Sequence, residues 1–522
     1  MLDVLISNGL IVDGTASPGF YGAVGIQGDE VRILRGDVSE VEAARVIDAS
    51  GQVVCPGFID LHSHGGHVIL DDPRHEPKIR QGVTTELIGI DGNSFAPFKS
   101  REDLHRFIEL DAGLNGAPSK PAEWGSVAEH LAMFDNKVAV NICYIIGNSP
   151  LRIWALGWDN RPATGAEIEN MKSVLREGME EGAFGMSTGL DYPPGSYANT
   201  DELVELSREA ARLGGIYHTH VRYWLGDRFL DPMKEAIEIG QRSGVPVHIT
   251  HLSQTATSTR GARRMLEFVE EHREQGMDLT FDTFPYAVGS TRVLIVFPQW
   301  AHDGGPDKLK EVLRSPEARE RLRTEVKPRA PTWEEMWLTN FSKHHNRKYD
   351  GRSIAEVADM MNLHAVDALC ELLLDESLQL SYTGSSRNAA TVPLFMSHPL
   401  CLVGSDAVMV GEHPNPHTYG TFPFILSEYV REERWMSLAE AIRKMTSFAA
   451  QRLGLPDRGL LRDGMKADVV VFDAERVKGP ATRREPKQFP IGINYVLVNG
   501  KLVVDNNVHT GALPGRALRR GR

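Results

Sequence analysis

The sequence predicts an α/β protein: a (β/α)8, TIM-like barrel with a small β-sandwich domain formed by both termini. Three observations carry this prediction. Short apolar runs recur through the centre of the chain, with helical patterns in most of the gaps. Alternating strand-like runs occupy both ends. Polar residues with metal-binding chemistry stand where the central runs stop, the end at which such barrels carry their active residues.

The end segments come first. Runs at 4–7, 10–12, 24–27, 31–34 and 45–48 are separated by Gly and Asp turns, and similar material returns at 467–472, 495–498 and 502–504. Neither set buries enough apolar surface to stand alone. They are therefore expected to pair as a β-sandwich over 1–55 and 455–522, leaving 56–454 for the barrel. The central strands are placed at 58–62, 85–90, 138–146, 183–187, 216–220, 247–251, 279–284 and 402–406. Helices are expected at 164–181, 201–213, 232–243 and 263–275. Thr164 with Glu167 is a capping-box start, and Gly182 is a stop. A doubly wound open sheet is disfavoured, because no Gly-rich phosphate loop follows the first strand. Two stretches interrupt the repeat, at 97–124 and 290–352. The second has the length of a lid over the barrel mouth.

Composition narrows the function classes. The chain has 522 residues, 41% hydrophobic and 24% charged, which fits a globular protein with an ample core. A net charge of −13 argues against nucleic acid or an anionic membrane as partner. No apolar run reaches bilayer-spanning length and the N-terminus lacks a signal-peptide pattern, so a cytoplasmic location is expected. Cys55, Cys143, Cys370 and Cys401 are far apart and form no metal-ligand pattern.

The chemistry concentrates at strand ends. In the stretch PGFIDLHSHGG (56–66), His62 and His64 stand at i and i+2 of an extended segment and so face the same way. Neutral imidazole is a preferred ligand of zinc. Asp91, Asn148, His218, His220, His251, Tyr286 and Asp406 occupy the ends of later strands. Each alone reads as a polar core residue or a cap; their convergence on one mouth reads as a metal site.

The motifs resemble those of the amidohydrolase superfamily, and within it the N-acyl-D-amino-acid deacylase (D-aminoacylase) family. The matching stretches include PGFIDLHSHGG (56–66), QGVTTELIGIDGNSFAP (81–97), EGAFGMSTGLDYPPGSYANTDEL (181–203), YHTHVR (217–222), GVPVHITH (244–251), DTFPYAVGST (282–291), GSD (404–406), YGTFPFIL (419–426) and GLLRDGMKADVVVFD (459–473). The resemblance implies His62, His64, His220 and His251 as metal ligands, with zinc as the expected ion, one or two per chain, although another divalent metal would fit. It implies Asp406 as the acid/base. It also implies no carboxylated lysine on the fourth strand, where Gly185-Met186-Ser187 stands.

Three departures from the family pattern bear on the site. GIDG replaces the family's GNCG, which puts Asp91 at the position of a ligating cysteine. A carboxylate makes a harder site and can bridge two ions. The family lysine two residues past the sixth-strand histidine is Ser253, and the arginine before the GTFP segment is His417. Both family residues hold the substrate carboxylate. Tyr286 remains as a hydrogen-bond donor, and Arg292 could restore charge; Arg222 reads as structural. His218 or Tyr286 is a candidate oxyanion donor, and Asn148 stands where the family often has histidine. The expected reaction is hydrolysis of a small-molecule amide C–N bond. With two cations lost, a neutral leaving side is expected to be favoured. The other readings are a strict N-acyl-D-amino-acid deacylase and a non-catalytic scaffold.

Overall fold

The structure is a computed structural model, and it describes residues 1–223, 228–256 and 261–521. The eight central strands are Phe58–Asp60, Val83–Ile88, Asn141–Tyr144 continued by Ile146–Gly147, Gly185–Gly189, Ile216–His220, Val247–Ile249, Leu279–Thr283 and Cys401–Val403. They pair in parallel, in sequence order. The ring closes between the eighth and first strands: Asp406 N–H donates to His62 O (2.8 Å), and His64 N–H to Ala407 O (3.2 Å). Helices Gly165–Glu180, Thr200–Arg212, Asp231–Ser243 and Ala262–Glu274 occupy the expected gaps, the first opened by the Thr164/Glu167 capping box. The strands are buried along their length, because both faces are covered, by helices outside and by side chains within.

The third and fourth strands separate at their N-terminal ends. Phe184 N–H still reaches Tyr144 O (2.8 Å), but below that point a different segment takes over. Ile142 N–H donates to Arg516 O (2.9 Å), Leu518 N–H to Ile142 O (2.7 Å) and Arg520 N–H to Gly182 O (3.1 Å). The segment 516–520 thus fills a gap in the barrel wall and satisfies backbone groups that would otherwise be buried unpaired.

Strands from both ends of the chain form one nine-stranded hydrogen-bonded network. Its seam is Val469–Phe472 against Val53–Pro56, antiparallel. Val4, Ile6, Val24, Ile26 and Val54 from the first part share a core with Val469, Val471 and Leu497 from the second. Between the seventh and eighth barrel strands, Val288–Arg292, Met336–Thr339 and Ser381–Ser385 make a three-stranded antiparallel sheet. Among the described residues, no helix is long and apolar enough to cross a membrane. All four cysteines are buried and free.

Candidate metal centre and active site

The ends of the first and eighth strands are joined by a buried charged network. The Asp60 carboxylate accepts the backbone N–H of His62 (3.1 Å) and of Ser405 (2.9 Å), together with the Ser405 hydroxyl (2.5 Å). The Lys78 ammonium contacts Asp60, donates to Ser405 Oγ (2.7 Å) and lies 3.3 Å from Glu86. Glu86 in turn accepts from Ser63 Oγ (3.0 Å) and pairs with His75 (3.0 Å). Burial opposes its charge, but His75 and Lys78 hold its carboxyl down at about 2. These contacts fix the backbone that carries His62, His64 and Asp406. Removing one partner of a buried charge network leaves the others uncompensated. Lys78→Met is therefore expected to cost about 3–5 kcal/mol of stability, read as a drop in denaturant midpoint at unchanged slope.

Above this base the predicted ligands meet. Asp91 Oδ2 lies 3.4 Å from His62 Nε2, 3.8 Å from His64 Nε2, 3.4 Å from His220 Nδ1 and 3.7 Å from His251 Nε2. Asp406 Oδ1 lies 3.4 Å from His62 Nε2 and 3.3 Å from His64 Nε2. Ligands held at about 2.0–2.2 Å in a tetrahedron stand about 3.3–3.6 Å from one another, so this spacing suits a zinc-like ion. Two sets share Asp91: His62, His64, Asp91 and Asp406, and Asp91, His220 and His251. The residues fit the ion in a second respect. Both ring nitrogens of His62 and Oδ1 of Asp91 are buried without a hydrogen-bond partner. Buried polar atoms rarely stay unpaired unless something else satisfies them.

Charge points the same way. Burial disfavours a charged His62, yet Asp91, Asp282 and Asp406 outweigh it and hold its pKa well above the ordinary range. Asp91 and Asp406 resist burial in turn and are held low, chiefly by His62. Burial also opposes charge on His220, but Asp191 and Asp91 raise it to about 9. Burial lowers His251, so protons are held at His62 and His220, the imidazoles that face the ionised carboxylates most directly.

The turn that presents Asp91 is tightly built. Asp91 has φ 55°, between Gly89 at 84° and Gly92 at 69°. Ser187 of the fourth strand accepts from Gly92 N–H (3.1 Å) and donates to Gly89 O (2.6 Å). A Cβ on Gly92 would meet Asn148 Oδ1 and Gly189 N at 2.5 Å, so only glycine allows this approach. Asp406 and His251 also hold positive φ, at 50° and 34°. Such strain is kept where a side chain must be aimed.

Three groups that sequence reasoning missed orient the candidate ligands. Asp191 pairs with His220 Nε2 (3.0 Å), leaving Nδ1 toward Asp91. Asp282 accepts the His251 backbone N–H (2.7 Å), pairs with His248 (2.9 Å) and lies 3.5 Å from His62 Nδ1. Asn115 meets His64 Nδ1 (3.2 Å) and donates to Asp111 (2.6 Å). Asp191 and Asp282 stand inside stretches already singled out, GLDYPPG and DTFPY. Asn115 ends helix Arg101–Asn115 in the 97–124 excursion, where no local pattern marks it.

A pocket opens over the centre, walled by Asp91, His220, His251 and Asp406 on one side and by Ser253, Ser290, Tyr382 and Arg387 on another. Of the residues expected to touch substrate, Ser253 lines it. The others sit elsewhere among the described residues. Arg292 is buried in an ion pair with Asp111 (2.7 Å) and stacks on Tyr192 (4.9 Å), so its charge is already matched. His417 is buried, stacked on Phe284 (4.4 Å), and hydrogen-bonds Ser405 O (2.5 Å). Burial pushes it down to about 3, so it is neutral and does not substitute for an arginine. Tyr286 lies behind the pocket against Phe424 (4.7 Å), its hydroxyl buried without a partner and its pKa raised by burial. His218 faces Leu61 O (3.1 Å) beneath His62, and burial keeps it neutral. Asn148 donates to Gly195 O (2.9 Å) under the Asp91 turn. Arg222 is structural, paired with Glu235 (3.0 Å).

An eight-stranded barrel whose mouth gathers four histidines around a shared carboxylate defines a metal-dependent hydrolase. An amidohydrolase family profile matches residues 45–504. N-acyl-D-aspartate deacylase of Alcaligenes xylosoxydans xylosoxydans is 32% identical over 521 residues, covering 99% of this chain and 95% of that protein. A crystal structure of D-aminoacylase superposes with TM-score 0.83 at 30% identity, covering 100% of each chain. N-acyl-D-glutamate deacylase of Bordetella bronchiseptica, complexed with zinc and a phosphonate inhibitor, superposes with TM-score 0.84 at 29% identity, covering 99% of each chain. The chain belongs to the amidohydrolase family and is an enzyme acting on amide C–N bonds.

Proposed function

We propose that the protein hydrolyses the amide bond of a small N-acylated amine, with a carboxylate-binding pocket altered from that of its relatives. The observation that carries this is the single oxygen of Asp91 set among four imidazoles, beside Asp406, at the floor of an open pocket. His62, His64, Asp91, His220 and His251 would hold one or two divalent ions, and the nitrogen and oxygen donors favour zinc. Held there, a divalent ion would supply Lewis acidity for activating water at neutral pH and polarising the scissile carbonyl.

The chain's own residues do the rest. Asp406, held ionised by His62 and His64, takes a proton from the attacking water and returns it to the departing nitrogen. Amide nitrogen leaves poorly unless protonated, so the return step is required chemically. Asp282 and Asn115 keep His62 and His64 aimed while charge shifts. The insertion sheet walls the pocket, the position of a lid. The alteration lies in the pocket's charge, since Ser253 carries none and His417 is neutral and buried.

The test is metal content and activity measured together on a panel of N-acyl-D-amino acids, the substrate class named for the relatives. Bound zinc near one or two per chain is expected, with activity lost on chelation and regained on adding zinc. Undiminished hydrolysis by a metal-free preparation would refute the reading.

A further inference from the structure

We propose that Arg387 anchors a carboxylate on the amine side of the substrate, in the corner of the pocket beside Ser253. The proposal rests on the hydrolase reading above and assigns its specificity.

Among the described residues, five arginines are buried: Arg152, Arg292, Arg387, Arg452 and Arg458. Four have a carboxylate partner, with Arg152 on Glu202 (2.5 Å), Arg292 on Asp111 (2.7 Å), Arg452 on Asp278 (2.7 Å), and Arg458 on Asp468. Arg387 has no carboxylate of the described residues within ion-pair distance, although it is only 6% exposed. Buried charges are normally paired, because losing water costs more than neutral acceptors return. Arg387 is also the one of the five that lines the pocket. Its missing counter-ion would enter with the ligand.

The guanidinium is held ready rather than free. Nη1 donates to Phe284 O (2.9 Å) and Tyr286 O (3.3 Å), and Nη2 donates to Leu252 O (3.4 Å) and to Thr283 Oγ1. Its plane lies 4.0 Å over the Phe284 ring. Nε has no partner. The backbone is pinned as well: Arg387 N–H reaches Ala287 O (3.2 Å), Asn388 N–H reaches Gln254 O (2.9 Å) and Ala256 N–H reaches Ser386 O (3.0 Å). Burial lowers its pKa to about 10, with Asp406 acting in the other direction, so it is a cation at neutral pH. Four of its five N–H groups are engaged by the protein, and the Nε–H is the one left to make a charge-assisted bond to a carboxylate.

The location fits the departures in sequence. Leu252, whose carbonyl Arg387 holds, directly precedes Ser253, the position where the family pattern has its carboxylate-binding lysine. The charge lost from residue 253 is supplied from the neighbouring wall. This reverses the expectation that a neutral leaving side is preferred.

The experiment uses zinc-loaded protein and a panel of N-acetyl-D-amino acids, each paired with its carboxamide. The ratio of kcat/KM for acid over amide is the readout. A charge-assisted contact corresponds to roughly a ten- to hundred-fold preference for the acid. Arg387→Met should bring that ratio toward one, and Arg387→Lys should leave it in between. Calorimetric binding of the free D-amino acids and their amides to the same protein reads the anion site without turnover. Acid-selective binding lost in Arg387→Met, with no hydrolysis of any pair, would support the anion site while removing the hydrolase reading. Absence of acid preference in both wild-type measurements overturns the proposal, whether or not the variants fold. So does an Arg387→Met protein that keeps the ratio, or one that loses both substrates equally, since Arg387 would then only staple the loops.

Discussion

Asp91→Ala is expected to remove bound metal and hydrolysis together. Asp91 Oδ2 is common to both ligand sets, so its loss damages two coordination spheres at once. It also removes a negative charge that His62 and His220 both face. Elemental analysis after desalting should show metal falling to a small fraction of the wild-type stoichiometry, with no detectable turnover. Because Asp91 sits at φ 55°, alanine adds backbone strain of its own. Asp91→Asn separates the two effects, since asparagine tolerates this conformation and keeps one oxygen donor. It should fold normally and bind metal weakly. Asp91→Cys should bind metal with a shift toward thiophilic ions. Wild-type metal content in Asp91→Ala would make Asp91 a turn residue and leave the histidines as the whole site.

Asp406→Asn is expected to lower kcat by ~10²–10⁴-fold, the range for losing a positioned general acid–base group. The shape at the end of the eighth strand is preserved, including the backbone bond from Asp406 N–H to His62 O (2.8 Å). Asparagine also tolerates the positive φ of this position. What is lost is the capacity to accept a proton. Metal bound by Asp91, His220 and His251 should be retained, so metal content and rate should diverge, unlike in Asp91→Ala. A variant with near-normal kcat would move the proton transfer to another group.

The barrel was legible in the sequence through local periodicity, whereas the candidate metal ligands came from the family resemblance together with their positions at strand ends. Strand-end histidines at i and i+2 must face together, whatever surrounds them. The orienting residues were not legible in the same way. Asn115 reaches His64 from 51 positions away, through a helix in a stretch that reads only as an interruption of the repeat. Arg292 and Arg387 show the limit more sharply. In sequence, Arg292 stands five residues beyond the FPYA segment and invites a substrate role, whereas Arg387 lies in an unmarked GSSRNA stretch. Burial reverses their standing: Asp111 neutralises Arg292, and among the described residues no carboxylate pairs with Arg387. Whether a charge is matched is a property of tertiary neighbours, which no local pattern encodes.

The segment 516–520 has a temporal consequence. Its backbone bonds to Ile142 and Gly182 occupy a breach in the wall between the third and fourth strands. On a growing chain, that breach stays open until residues 516–520 have been made, long after the third and fourth strands. The seam between Val53–Pro56 and Val469–Phe472 waits nearly as long. Contacts of such sequence separation form slowly, because the loop entropy must be overcome first. Until then the nascent barrel keeps an exposed strand edge, the kind of surface that chaperones cover and that pairs wrongly with other chains. For this fold, yield in the cell should depend on how soon residues 516–520 follow the barrel strands as much as on the strength of the finished core.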